Sequence, residues 1–153
     1  MKQRSILKLL LSLLVIPCML YMITIYQPDI FLFDDITYQV SVVNGLSNNS
    51  SLPLVIWCNN VDDAYSDIGG RALQEGDDFS WNVRVTLWKY ISSTNAFSCT
   101  MKWDQKRKKF EAFWLRRDES RCGVLRKCVW LVKEDGFYFS NDESNWVREF
   151  KWL

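Results

Sequence analysis

Four cysteines, Cys58, Cys99, Cys122 and Cys128, stand downstream of a basic, apolar leader in a chain that contains no histidine. An even cysteine set behind an export signal predicts a disulfide framework formed in an oxidising compartment. The missing histidine removes the usual general base, the usual metal ligand and the usual pH switch together. The combination points to a small exported binding module and away from an enzyme.

The leader carries Lys2, Arg4 and Lys8 with no acid, then 17 mostly apolar residues from Leu9 to Ile25. A charged start followed by an apolar run is the layout of a secretory signal. The run is somewhat longer than usual for a cleaved signal, and no small-residue cleavage tripeptide precedes Pro28. A spanning helix needs about 17–25 apolar residues, so an uncleaved signal anchor stands as the alternative. Residues 1–27 are read as this leader and residues 28–153 as one domain. In either version the domain enters the secretory pathway, so a secreted, extracellular location is expected. Cys18 falls inside the apolar run, which leaves four cysteines for pairing.

Roughly 125 residues remain for the domain, enough to bury about two-thirds of the unfolded surface around one core. Without Lys2, Arg4 and Lys8, the 19 basic residues fall to 16 against 18 acidic. Nucleic-acid binding needs concentrated positive charge, so nucleic acid is not expected as a partner. Eight tryptophans and nine phenylalanines favour strands and supply core.

Period-two alternation recurs along the chain. Tyr38 to Leu46 and Leu52 to Cys58 read as the first two strands, joined by a polar turn. Phe79, Trp81, Val83, Val85 and Leu87 share one face of a third strand, against Ser80, Asn82, Arg84 and Thr86. Phe97, Cys99, Met101 and Trp103 repeat the pattern. Asp104 to Lys109 reads as a charged turn and Phe110 to Leu115 as the returning arm of a hairpin. Lys127 to Lys133 is apolar on both faces, as a central strand is. Glu134-Asp135-Gly136 predicts a tight turn before Phe137 to Ser140, and Trp146 to Trp152 alternates once more. Asn59 to Gly70 reads as a surface loop, and Asp67 to Glu75 as the best place for a short helix or turn. The sum is an all-β fold, a small antiparallel β-sandwich of seven to eight strands with two disulfides.

In this order the residues resemble the plant self-incompatibility protein homologues, the S-protein homologues. Val42-Val43-Asn44-Gly45-Leu46 is similar to the family's opening strand, and Leu54-Val55-Ile56-Trp57-Cys58 to its second. Asp62-Asp63 through Asp67-Ile68-Gly69 resembles its acidic loop, lengthened here by Ala64-Tyr65-Ser66. Leu73, Gly76, Phe79 and Trp81 match the next signature, and Phe97, Cys99 and Trp103 the one after. Cys122, Cys128-Val129-Trp130 and Asp135-Gly136-Phe137-Tyr138 are similar to the closing one. The match runs from about residue 38 to 140, and its specificity lies in the ordered set. The resemblance implies a secreted, monomeric β-sandwich with two disulfides and no catalysis. It also implies an interaction or signalling role, since some members are pistil ligands recognised by a cell-surface receptor protein on pollen.

Four cysteines allow three connectivities. A Cys58–Cys99 bridge would close about 40 residues and contribute about 4 kcal/mol, and a Cys122–Cys128 bridge roughly 2–2.5 kcal/mol. Bridges from the Cys122 to Cys128 region to earlier strands are the preferred expectation. A zinc site is disfavoured by the five-residue gap, the absent histidine and the oxidising compartment. Asn48 and Asn49 head overlapping glycosylation sequons in a polar turn, of which at most one is expected to be used.

Lys106, Arg107, Lys108 and Lys109 form a basic run at the expected hairpin tip, and Arg116, Arg117 and Arg121 begin a second basic loop that continues to Arg126 and Lys127. The plain reading is a solvated tip that protects a sheet edge. The functional reading is a surface that docks on an acidic receptor patch or an anionic polymer. Asp62, Asp63, Asp67, Asp77 and Asp78 lack the spacing of a calcium loop and read as turn and cap residues. No serine has a histidine partner, and no carboxylate pair is singled out by spacing. No cofactor, metal or small-molecule substrate is expected. The leading function is a secreted, non-catalytic ligand that meets a cell-surface partner through its loops. A secreted defence-type binder, an inhibitor or antimicrobial protein, is the alternative.

Overall fold

Alternating side chains put one face of each strand in the core and the other in water. The computed structural model describes residues 13, 15–19, 21, 36–47, 52–62, 67–92 and 95–152. The chain divides into two compact units, Met1–Phe33 and Asp34–Leu153. In the first unit the described residues are helical and Cys18 is a free, exposed thiol. Among the described residues no helix is long and apolar enough to cross a membrane.

Among the described residues of the second unit there are nine strands and two short helices. They are β1 (Ile36–Asn44), β2 (Leu54–Asn60), β3 (Asp67–Leu73), β4 (Asp78–Val85), α1 (Leu87–Ser92), β5 (Ala96–Trp103), β6 (Lys106–Trp114), α2 (Leu115–Arg121), β7 (Lys127–Lys133), β8 (Gly136–Ser140) and β9 (Val147–Phe150). One sheet runs β4-β1-β7-β8-β9 and the other β3-β2-β5-β6. Every pairing is antiparallel except β1 with β7, which is parallel. β7 is the middle strand of its sheet, as its two apolar faces require. On its outer face Leu131 lies over Gly45, where a Cβ would come within 2.7 Å of the Leu131 side chain.

Between the sheets lie Val40, Val42, Leu54, Ile56, Met101 and Trp130, all without exposure to water. Phe110 packs on Trp130, Phe137 and Phe150 with ring centroids 5.0, 5.3 and 5.8 Å away. Two hydrogen bonds cross this apolar layer. Ala112 is the extra residue of a β-bulge, because Phe97 pairs with Phe113 and Ser98 with Glu111. Its carbonyl, left without a ladder partner, accepts the Trp130 indole N–H at 2.7 Å. At the other crossing, buried Asn44 donates from Nδ2 to the Leu73 carbonyl at 2.9 Å.

Several segments differ from their sequence reading. Residues expected to be a loop and a short helix or turn form β3. Its glycines explain both the strand and its poor legibility: Gly69 has φ +92°, and Gly70 lies beneath the Trp57 ring, where a Cβ would meet backbone and indole. The charged turn shrinks to Asp104 and Gln105, so Lys106 to Lys109 belong to β6. The third expected strand stops at Val85, and Leu87 opens α1. The residues from Arg116 to Arg121 are helix rather than loop.

Cys58 and Cys99 sit opposite each other in the β2–β5 pair and are joined beneath it. Cys122 is bonded to Cys128, which overturns the expectation that this region is tied to earlier strands. The reason is local. Gly123 and Arg126 adopt φ +65° and +54°, and Lys127 N donates to the Cys122 carbonyl at 3.0 Å, so the chain folds back on itself before β7. All four sulfurs are thereby occupied, and none remains to ligate a metal.

The turn between β8 and β9 is organised by Asp142. Its carboxylate accepts the Asn145 and Ser144 backbone N–H groups at 2.8 and 2.9 Å, the Asn145 amide at 2.6 Å and the Ser140 hydroxyl at 2.8 Å. These bonds, the Asn145 backbone N–H foremost, hold its pKa well below the usual carboxylate range.

Replacing Cys58 and Cys99 together by alanine is expected to cost about 4 kcal/mol, and replacing Cys122 and Cys128 about 2–2.5 kcal/mol. Urea unfolding checks the ranking, and equal losses would contradict it. The depressed Asp142 pKa contributes stability that is present above the unfolded value near pH 4 and is lost as pH falls through the folded one. Asp142→Asn is therefore expected to flatten the fall in stability between about pH 4 and pH 2, read from denaturation curves at several pH values.

Candidate interaction face

The basic run of β6 obeys the strand period, so its four cations part company. Lys106 and Lys108 turn towards the aromatic end of the core. The Lys106 ammonium lies 4.8 Å from the Trp103 ring and 3.4 Å from the Glu134 carbonyl, and the Lys108 ammonium 5.7 Å from the Phe150 ring. Arg107 and Lys109 project to the other side, into water.

There they join a flat row. Arg107 is the register partner of Lys102, which pairs in turn with Val55. Lys109 pairs with Thr100, which pairs with Trp57. The outer face of the four-stranded sheet therefore carries three cations beside two apolar side chains. Trp57 is 53% exposed and Val55 44%. Lys102, Arg107 and Lys109 make no ion pair among the described residues. Like charges directly opposite one another destabilise a sheet, and Lys102 faces Arg107 in that way. Edge protection explains cations on β6, which is an edge strand. It does not explain Lys102, because β5 lies inside the sheet.

The second basic segment divides too. Asp118 has no exposed surface, and Arg117 grips it with Nε to Oδ1 at 2.9 Å and Nη2 to Oδ2 at 2.8 Å. Arg121 lies 3.5 Å from the same carboxylate and 2.5 Å from Glu149, and its guanidinium sits 3.8 Å from the Phe139 ring centre. Asp118 also accepts the Trp114 N–H at 2.8 Å, which closes the start of α2. Burial pulls the Arg117 pKa down, but its hydrogen bonds and attraction to Asp118 outweigh that and leave it raised. For Arg121 burial prevails and the pKa is lowered. Both arginines are thus built into the packing of α2, and Arg116 alone of the three is exposed.

Beyond α2, the six-residue Cys122–Cys128 bridge displays an apolar tip, with Val124 97% exposed and Leu125 72%. The sequence signal for this tip is a pair of apolar residues inside a gap too short to cover them. Asp62, Asp67 and Asp77 accept the N–H groups of Ala96, Gly69 and Gln74, as turn residues do. Asp63, Asn48 and Asn49 lie outside the described residues.

Asp118→Ala leaves two guanidinium groups without their shared partner. It is expected to cost about 3 kcal/mol, the low end for a broken buried pair because both arginines reach water. Arg116→Ala should change stability by about 0.5 kcal/mol or less. Thermal and urea unfolding of the two variants distinguish the buried hub from the exposed cation.

The family model described as plant self-incompatibility protein S1 matches residues 39–152. No curated protein and no solved structure matches the chain.

Proposed function

Since the chain belongs to the plant self-incompatibility protein S1 family, we propose that it is an exported, non-catalytic ligand that docks on an acidic patch of a cell-surface protein. The observation that carries this reading is the cation row Lys102, Arg107 and Lys109, which forms no ion pair among the described residues, beside exposed Trp57 and Val55. Tryptophan and arginine are the residues that most often dominate binding energy at protein interfaces. Opposed cations speed the approach to an acidic partner and make binding salt-dependent. Arg116 and the Val124–Leu125 tip are exposed as well. On this reading residues 1–27 serve export, as a cleaved signal or a retained anchor, and one of Asn48 and Asn49 carries a glycan. The two disulfides fit an oxidising extracellular setting.

The test uses exported, oxidised protein carrying Lys102→Ala, Arg107→Ala and Lys109→Ala. Saturable binding of the unmodified protein to plant cell membranes is expected, at least about tenfold weaker for the variant, in line with the loss of a few charge contacts. The melting temperature should change little. Saturable binding that survives the three replacements would reject this face. Binding confined to a soluble hydrolase or a microbial surface would favour a defence-type binder instead.

A further inference from the structure

Aliphatic side chains at the tip of a turn are costly to leave in water, and Val124 and Leu125 receive little cover from the domain. The turn that presents them is held in shape. The Cys122–Cys128 bridge closes its base, Lys127 N donates to the Cys122 carbonyl, and Arg126 N donates to the Gly123 carbonyl, both at 3.0 Å. A tip restrained in this way loses little freedom when it binds. The Ile36–Val85 and Gln39–Lys127 pairs put the end of β4 and the starts of β1 and β7 at one end of the five-stranded sheet. α1 follows β4 there and the 122–126 turn precedes β7. α1 adds exposed Tyr90 and Ile91, and the Tyr90 hydroxyl donates to Glu119 of α2 at 3.1 Å. The Tyr38 hydroxyl, its pKa raised chiefly by burial, feels the charges of both Glu119 and Arg126, so the two helices and the turn share one neighbourhood.

Charge and residue type define the partner. From Ser120 to Lys133 the chain has no acidic residue. Arg121 and Lys127 are met from elsewhere by Glu149 and Glu143, but Arg116 and Arg126 are exposed and make no ion pair among the described residues. Valine and leucine are under-represented among the residues that dominate protein–protein binding, which sit in pockets near the centre of an interface. An aliphatic tip with an unpaired arginine at its base and a tyrosine at the same end of the domain suits a bilayer surface instead. There aliphatic side chains reach the acyl boundary, tyrosines sit at headgroup level and cations meet lipid phosphates. We propose that the Val124–Leu125 tip inserts into the interface of a phospholipid bilayer, with Arg126 on the headgroup phosphates and Tyr90 and Ile91 at the same surface. The contact is separate from the cation row and does not depend on the docking role of that row.

The experiment mixes exported, oxidised protein, ¹³C-labelled at its valine and leucine methyl groups, with bicelles of phosphatidylcholine and phosphatidylserine that carry a spin label in their acyl chains. The Val124 and Leu125 methyl signals, assigned by their loss in Val124→Ser and Leu125→Ser, are the readout, and exposed Val55 on the outer sheet face is the internal reference. Both tip signals are expected to broaden saturably while Val55 stays sharp. The readout is local, so lipid held by a retained leader does not reproduce it. Val124→Ser is expected to reduce the broadening of Leu125, and Arg126→Gln to weaken binding about fivefold. Both changes lie at exposed positions and should leave the melting temperature unchanged. Tip signals that stay sharp, or broaden no more than Val55, would overturn the proposal. So would tip signals indifferent to lipid but shifted by solubilised plant membrane protein, which would assign the tip to a protein partner. No effect of Arg126→Gln would overturn the phosphate contact. The bicelles hold no protein, so failure here leaves the reading of the cation row untouched.

Discussion

The hydrogen bond from the Trp130 indole to the Ala112 carbonyl is the interaction around which the domain is arranged. Two stacked sheets are held mainly by apolar contact, which is non-directional and permits sliding. A directional bond through the core removes that freedom. It exists because the bulge in β6 leaves the Ala112 carbonyl without a strand partner at a buried position. Neither half is tolerable alone, since a buried acceptor without a donor carries a desolvation penalty. The Asn44 bond to Leu73 acts in the same way at the second crossing, so the two sheets are pinned at two separated points.

From that pin the structure extends to α2. Arg121 covers the Phe139 and Trp130 rings while its charge is met by Glu149 and Asp118. Asp118 in turn fixes the first turn of the helix, and its backbone carbonyl accepts the Cys122 N–H. The disulfides divide the remaining work. Cys58–Cys99 stiffens the sheet whose outer face carries the cations, whereas Cys122–Cys128 shapes the exposed loop before β7. A rigid support beneath a binding surface lowers the ordering cost of association.

Much of the scaffold was legible because one-sided burial enforces alternation. β4 and β5 follow that rule, and the buried positions Val83 and Cys99 fall where it places them, whereas β7 was legible from its two apolar faces. β3 escaped because Gly69 and Gly70 have no side chains to alternate, and the register shift beside Asn59 breaks the period. The basic run was visible as charge, but its division into two faces needed the turn to be placed at Asp104 and Gln105, only two residues long. Arg117 and Arg121 flank Asp118 in the sequence, a spacing that suits a shared carboxylate, yet its burial depends on β6 packing beside the helix.

The parallel pairing of β1 with β7 also bears on the order in which the domain assembles. β2, β3, β5 and β6 lie within residues 54–114, and β1 can meet β4 once residue 85 has emerged. The other side of β1 has to wait for residues 127–133, because no earlier strand occupies that position. Contacts so distant along the chain form late and slowly. A nascent domain therefore holds one sheet nearly whole while its neighbour remains split, and the arrival of residues 127–133 decides whether the halves close.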